Sequence, residues 1–152
     1  MSTLSDQAEP AVAALLESDE EQLYEQLGLI TKAIETDPIV AGSFGPKVTY
    51  DGEAMGPLDA LRDLGVRIWK RWEKEAYGLV CGDGELDKKD RESILTAFGF
   101  GGVAVASYMA ATLVTGFGIA PAIAAVVVAI VIKRFLRPTA DEFCAVWKEN
   151  LS

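Results

Sequence analysis

The chain has 152 residues, with 23 acidic and 14 basic side chains, so its formal net charge is −9, and half of its residues are hydrophobic. The acidic balance disfavours general nucleic-acid binding. Residues 1–92 carry twenty acids and ten bases, whereas residues 93–152 carry three acids and four bases. An acidic part of ordinary composition therefore precedes a nearly neutral, apolar part, and the length suggests one domain with or without a tail.

Residues 1–37 predict acidic amphipathic helices. A short helix is expected within residues 2–17. Ser18 and Glu21 have the spacing of a capping box, which predicts the start of a second helix. This helix is expected to end before Pro38, because the residue preceding a proline resists the helical conformation. Its apolar residues fall on one side of a helical wheel: Leu23, Leu27, Ile30 and Ile34.

Residues 38–57 lack a helical pattern and are punctuated by glycine and proline, so they predict a loop. A short strand over residues 47–50 is compatible with this pattern. A connection of about twenty residues is longer than most connections in packed domains, and such loops are either functional or disordered.

Residues 58–92 predict a basic amphipathic helix, opened by Pro57 and running to about Val80, and then a turn. One side of this helix is apolar and is expected to face inward, with Trp69 on its boundary. The inward positions are Leu61, Leu64, Gly65, Ile68, Trp72, Ala76 and Leu79.

Basic side chains cluster on the other side of this helix. Three interpretations remain open: the cations pair with the protein's own acidic helix, the helix lies on an anionic membrane surface, or the cations bind an acidic ligand. Two further cations follow the apolar segment near the C-terminus. The candidate basic surface is Arg67, Lys70, Arg71, Lys74, Lys133 and Arg134.

The sequence predicts no metal site and no cofactor. Asp83, Glu85 and Asp87 have the first spacings of an EF-hand loop, but the glycine and the final glutamate of that motif are missing. Cys81 and Cys144 match no metal-binding spacing. They can pair, but the expectation is two free thiols half buried in helices, since a cytoplasmic face would keep them reduced.

Forty consecutive residues, Ser93–Ile132, carry no charge. This length is too great for one membrane span and suits two. Two glycines and a proline predict a turn at Gly116, Gly118 and Pro121, between arms at about 97–115 and 119–136. Small residues recur at helical spacing, as in closely packed membrane helices: Gly102, Ala106, Ala110, Ala120, Ala124, Ala125 and Ala129.

Basic residues flank the forty-residue segment and are absent from its tip. The positive-inside rule therefore places both termini in the cytoplasm and the hairpin in an inner or cytoplasmic membrane. The alternative is a cytoplasmic protein in which the hairpin is a buried core. The fourteen uncharged residues of the second arm favour this alternative, because they span only about 21 Å. Candidate aromatic residues for the membrane interface are Tyr77, Phe98, Phe100 and Trp147.

Residues 137–152 are expected to end in a short helix, because Thr139 and Glu142 repeat the capping-box spacing. The predicted fold class is therefore all-α. It is a bundle of amphipathic helices with an apolar two-helix hairpin, residues 93–136, which is expected to be inserted in a membrane.

The sequence does not predict an enzyme, because it contains no histidine and no nucleophile, phosphate-binding or dinucleotide motif. The expected function is that of a small membrane-associated protein whose hairpin inserts into a bilayer and perturbs it. The N-terminal helices would then form a partner or regulatory module. This general plan also occurs in pore-forming toxins and membrane-targeting cell-death effectors. The alternative is a soluble, non-enzymatic interaction or adaptor module. Both hypotheses predict that the chain binds a protein partner or associates with itself. Neither decides whether it binds a small-molecule ligand.

Overall fold

The computed structural model describes residues 3–46, 48–82, 88–137 and 139–151, which contain helices and no strand. The predicted all-α fold is confirmed. Two short 3₁₀ helices span Pro38–Gly42 and Phe98–Phe100. The α-helices are α1 (Leu4–Leu15), α2 (Glu20–Thr36), α3 (Gly52–Met55), α4 (Leu58–Cys81), α5 (Lys88–Ala97), α6 (Gly102–Phe117), α7 (Pro121–Phe135) and α8 (Ala140–Asn150).

The capping box of α2 lies one residue later than predicted. The Asp19 side chain accepts a hydrogen bond from the Gln22 backbone N–H at 2.8 Å, and the Gln22 side chain accepts one from the Asp19 N–H at 3.0 Å. The Ser18 and Glu21 assignment is therefore wrong, since aspartate caps a helix as well as serine does. Half of the capping box predicted for α8 is present: Thr139 is the N-cap, and the Glu142 N–H donates to Thr139 Oγ1 at 3.2 Å.

Helices α2 and α4 pack in direct backbone contact, and two glycines make this possible. A methyl group at Gly28 would lie 1.9 Å from the Leu61 carbonyl oxygen, and one at Gly65 would lie 1.9 Å from the Tyr24 carbonyl oxygen. These two contacts show that the helices run antiparallel. An ion pair between Arg62 and Glu25 adds to the same interface.

Helix α7 is the centre of the bundle. It contacts α1, α2, α4, α6 and α8. Over residues 124–132 its side chains are buried around the whole helix, which explains why this part is apolar on every side. The buried positions are Ala122, Ala124, Ala125, Val126, Val127, Val128, Ala129, Ile130, Val131, Ile132 and Phe135.

The first arm of the hairpin begins five residues later than predicted. Residues Phe98–Phe100 form a 3₁₀ helix, and Gly101 follows with φ of +102°, a conformation that favours glycine. Among the described residues, no helix has both the length and the apolar content that crossing a bilayer requires. The membrane insertion predicted for the hairpin is not supported.

The segment between α2 and α4 contains more helix than the predicted loop, since it holds the 3₁₀ helix at Pro38–Gly42 and the single turn of α3. Residue 47 lies outside the described part, and Val48–Tyr50 form no strand. Phe44 is buried and packs on the hydrophobic core. This aromatic residue therefore anchors the segment to the bundle.

Candidate interaction surfaces

The hairpin positions singled out for close packing lie mostly inside the bundle. Gly102 is partly exposed, and a methyl group there would lie 2.9 Å from Leu136 Cδ2 and 3.3 Å from Ile132 Cγ2. Small size at Gly102 therefore lets α6 approach the end of α7. Ala120 is also partly exposed. The remaining positions are fully buried: Ala106, Ala110, Ala124, Ala125 and Ala129.

The turn between the two arms of the hairpin forms at the predicted residues. Gly118 ends α6 in the left-handed conformation with φ of +68°, and Pro121 is the first residue of α7. Gly116 is exposed and lies in the last turn of α6. These positions fit a glycine C-cap followed by a proline at the start of the next helix.

Helix α8 covers the end of the hairpin with aromatic side chains. Three of the four aromatic residues expected at a membrane interface belong to this cluster of rings inside the fold. The Trp147 ring stacks on Phe135 at 5.4 Å between centroids and meets Tyr77 edge-on at 5.3 Å. Phe98 meets Phe143 edge-on at 5.2 Å. Trp147 is fully buried. Tyr77, Phe98 and Trp147 therefore stabilise the cover that α8 forms over the bundle.

A disulfide between Cys81 and Cys144 ties α8 to the end of α4. The expectation of two free thiols was wrong. The residues lie 63 positions apart in the sequence, and their Cα atoms lie 5.7 Å apart. The pairing depends on how α8 folds back over α4, which no local sequence spacing reveals.

A buried carboxylate lies beneath α8. Glu73 is 5% exposed, and Trp147 Nε1–H donates a hydrogen bond to its Oε2 at 3.2 Å. Trp69 is equally buried, but its Nε1–H has no hydrogen-bond partner among the described residues. The sequence placed Trp69 on the helix boundary and Trp72 inward, whereas the structure buries Trp69 and leaves Trp72 partly exposed.

The two buried tryptophans give a matched prediction. We expect Trp147→Phe to lower the free energy of unfolding by about 1–3 kcal/mol more than Trp69→Phe does, because only the first change leaves a buried acceptor without its donor. Both changes remove the same atoms, so the volume lost is the same. The measurement is urea unfolding followed by circular dichroism, and equal losses for the two variants would contradict the assignment of the Glu73 hydrogen bond.

The cations predicted to form one basic surface lie in different environments: all six are exposed, but Arg134 is also ion-paired. Arg67, Lys70, Arg71 and Lys74 are all exposed on α4, and we call these four residues the basic strip. Lys133 is also exposed.

Arg134 belongs to a separate ion-paired site, because its Nε lies 3.0 Å from Glu20 Oε1 and its Nη1 donates to the Tyr24 hydroxyl at 3.1 Å. Burial raises the pKa of the Tyr24 hydroxyl above its ordinary value, and the positive charge of Arg134 opposes that shift.

A second surface lies between α5, α6 and the start of α1, and it combines two aromatic rings with polar and charged side chains. One hollow of about 440 Å³ is lined by Phe100 and Tyr108, and an adjoining hollow of about 470 Å³ extends to Thr115. Both hollows include Ser93 and Tyr108. We call them together the α5–α6 groove. Phe100 is 80% exposed and Tyr108 is 42% exposed, so two aromatic rings meet solvent at one site.

The described residues contain no group of acidic, cysteine or histidine side chains able to hold a metal ion. The calcium-loop residues Asp83, Glu85 and Asp87 lie outside the described part of the chain. No protein-family model, curated protein or solved structure matches the chain. The surfaces of the chain itself are therefore the guide to its function.

Proposed function

We propose that the protein is a non-enzymatic helical interaction module whose apolar hairpin is its folded core. The observation that carries this proposal is the α5–α6 groove, where two exposed aromatic rings lie beside the buried core. Aromatic side chains are enriched at protein interfaces, so two exposed rings at one site indicate an interaction surface. The burial of α7 over residues 124–132 supports the reading of the hairpin as a core, because this apolar surface is already covered by protein.

The occupant of the groove in this proposal is a helix of a protein partner. The groove runs from Phe100 along α6 to Thr115, and the fourteen helical residues from Gly102 to Thr115 cover about 20 Å. An amphipathic helix binds such a groove through a few apolar side chains on one face. Phe100 and Tyr108 would contact those side chains, since aromatic residues contribute much of the energy of protein interfaces.

Photo-crosslinking tests this proposal. A benzophenone amino acid in place of Phe100 should capture one discrete protein in the source cells, and Tyr108→Glu should lower the yield at least tenfold. The control carries the same amino acid at Ile39, which is 85% exposed and lies outside the groove. Equal capture from both positions, or none from Phe100, would contradict a specific groove partner.

The second candidate is conditional insertion of the hairpin into a bilayer. Its specific support is the uncharged and partly exposed face of α6, which continues into the exposed, uncharged tip at Gly116 and Gly118. For the hairpin to meet lipid, the helices that pack against it would have to move away: α1, α2, α4, α5 and α8. Insertion remains the alternative to the interaction module.

Dye release from vesicles separates the two candidates. We expect no release from vesicles of mixed anionic and zwitterionic lipid, with or without reductant. The control is Thr115→Asp, an exposed position in α6 where a charge leaves the folded bundle intact. Release by the unchanged protein that disappears in Thr115→Asp would favour insertion and contradict the module.

We also propose that the protein resides in an oxidising compartment. A structural disulfide persists where thiols are not kept reduced, and Cys81 and Cys144 form one. This differs from the cytoplasmic termini expected from the charge pattern. Alkylation of the protein isolated from its source, without added reductant, distinguishes the two: modified cysteines would place it in a reducing compartment.

A further inference from the structure

The basic strip is a continuous exposed face of α4. Arg67, Lys70, Arg71 and Lys74 have spacings of three and four, so they lie above one another on the helix. Seven residues of helix separate the first from the last, which is about 10 Å. Arg71 also lies over the Trp72 ring, with 5.2 Å between its Cζ atom and the ring centroid. This contact orients one of the four cations.

Two other cations of the bundle are paired with its acidic helix. Arg62 forms an ion pair with Glu25, and Arg134 forms one with Glu20. Among the described residues, the four side chains of the basic strip form no ion pair. The bundle therefore uses its acidic helix α2 to pair with Arg62 and Arg134, and not with the strip.

The register of α2 against α4 explains this difference. Tyr24 contacts Gly65 and Gly28 contacts Leu61, so the same antiparallel register places Glu20, the first residue of α2, opposite Trp69. Helix α4 continues beyond that point to Cys81. The acidic helix therefore does not reach the second half of the strip, and the interpretation that it pairs with all four cations is wrong.

The apolar side of α4 is already buried inside the bundle, and this disfavours a membrane as the binding partner of the basic strip. A helix that lies on a membrane sinks its apolar face into the lipid. In this fold Trp69, Ala76 and Leu79 are at most 1% exposed, so that face is not free. What remains outward is the row of cations, with the exposed carboxylates of Asp63 before it and Glu75 after it. Four cations on one helix face still fit a partner surface of carboxylates.

We propose that the basic strip is a docking surface for an acidic segment of a protein partner. A helix with glutamates at spacings of three and four would place its carboxylates beside the four cations and remove their mutual repulsion. Complementary charge gives such a contact its specificity and its association rate. The strip shares no residue with the α5–α6 groove, so this surface goes beyond the function proposed above.

A peptide titration tests this inference. The probe is a fluorescein-labelled helical peptide with glutamate pairs three and four residues apart, and fluorescence anisotropy measures its binding to the full chain at low salt. The strip variant carries Arg67→Gln, Lys70→Gln, Arg71→Gln and Lys74→Gln. The matched control changes four other exposed cations to glutamine: Lys89, Lys133, Arg137 and Lys148. Both variants have the same net charge, so a difference between them reports the strip.

We expect the unchanged protein to bind the probe despite its own negative charge, and the strip variant to bind at least tenfold more weakly. The control should stay within about threefold, and added salt should weaken binding. Absence of binding, or equal loss in both variants, would overturn the inference. So would vesicles with anionic lipid binding the strip when the peptide does not, or self-association at high concentration that only the strip variant loses.

Discussion

Replacing Ala125 by aspartate is expected to unfold the protein. Ala125 lies in α7 and is fully buried among apolar side chains. A carboxyl group in such a place takes up a proton because its charged form is poorly solvated, and pKa shifts of about 3–5 units are known for buried groups. Each unit corresponds to about 1.4 kcal/mol, so the cost is about 4–7 kcal/mol before any steric clash. A whole domain is stable by only about 5–15 kcal/mol.

The control for this prediction is Ala60→Asp, an exposed position in the first turn of α4. A carboxylate near a helix N-terminus is favourable, so this variant should keep the stability of the unchanged protein. Circular dichroism and thermal unfolding measure both. If Ala125→Asp folds with normal stability, α7 is not the enclosed centre of the bundle.

This expectation changes how membrane insertion can be tested. Aspartate at Ala110 or Ala125 would stop the hairpin from entering lipid, but it would also destroy the soluble fold, since both positions are fully buried. Loss of dye release in such variants would carry no information. Thr115 and Tyr108 are exposed on α6, so a charge there opposes insertion without opening the core.

Local sequence patterns predicted much of the fold for a clear physical reason. Pro57 at the entry to α4 and Gly118 with Pro121 between α6 and α7 act through backbone geometry alone. Each feature depends on a few neighbouring residues, so it can be predicted from the sequence alone. The inward side of α4 was also readable from its period, with Leu61, Ala76 and Leu79 buried as expected.

The features that the sequence did not reveal depend on contacts between distant segments. An uninterrupted apolar run has the same composition whether lipid or protein surrounds it, so α7 could not be assigned to a membrane or a core. Trp69 and Trp72 lie on either side of the inward direction of α4. Packing against the rest of the bundle decides which of them is buried, and it buries Trp69. The α5–α6 groove needed the 3₁₀ helix that exposes Phe100, which an apolar pattern does not predict.

Removal of the disulfide is the second large effect that we expect. The bond closes a loop of 63 residues between Cys81 and Cys144. In the chain-entropy account, a cross-link over a loop of that length stabilises the folded state by about 4 kcal/mol, because it restricts the unfolded chain. At about 2–4 °C per kcal/mol for a chain of this size, Cys81→Ala with Cys144→Ala should lower Tm by roughly 8–16 °C.

Reductant provides the control for that prediction, because it breaks the same bond without changing the sequence. The reduced protein and the double variant should unfold at similar temperatures, and reductant should not affect the variant. The aromatic contacts of Trp147 with Phe135 and Tyr77 remain in both, so α8 should still cover the bundle below Tm. If reductant leaves the Tm of the unchanged protein where it was, Cys81 and Cys144 are not paired, and the proposed oxidising compartment loses its support.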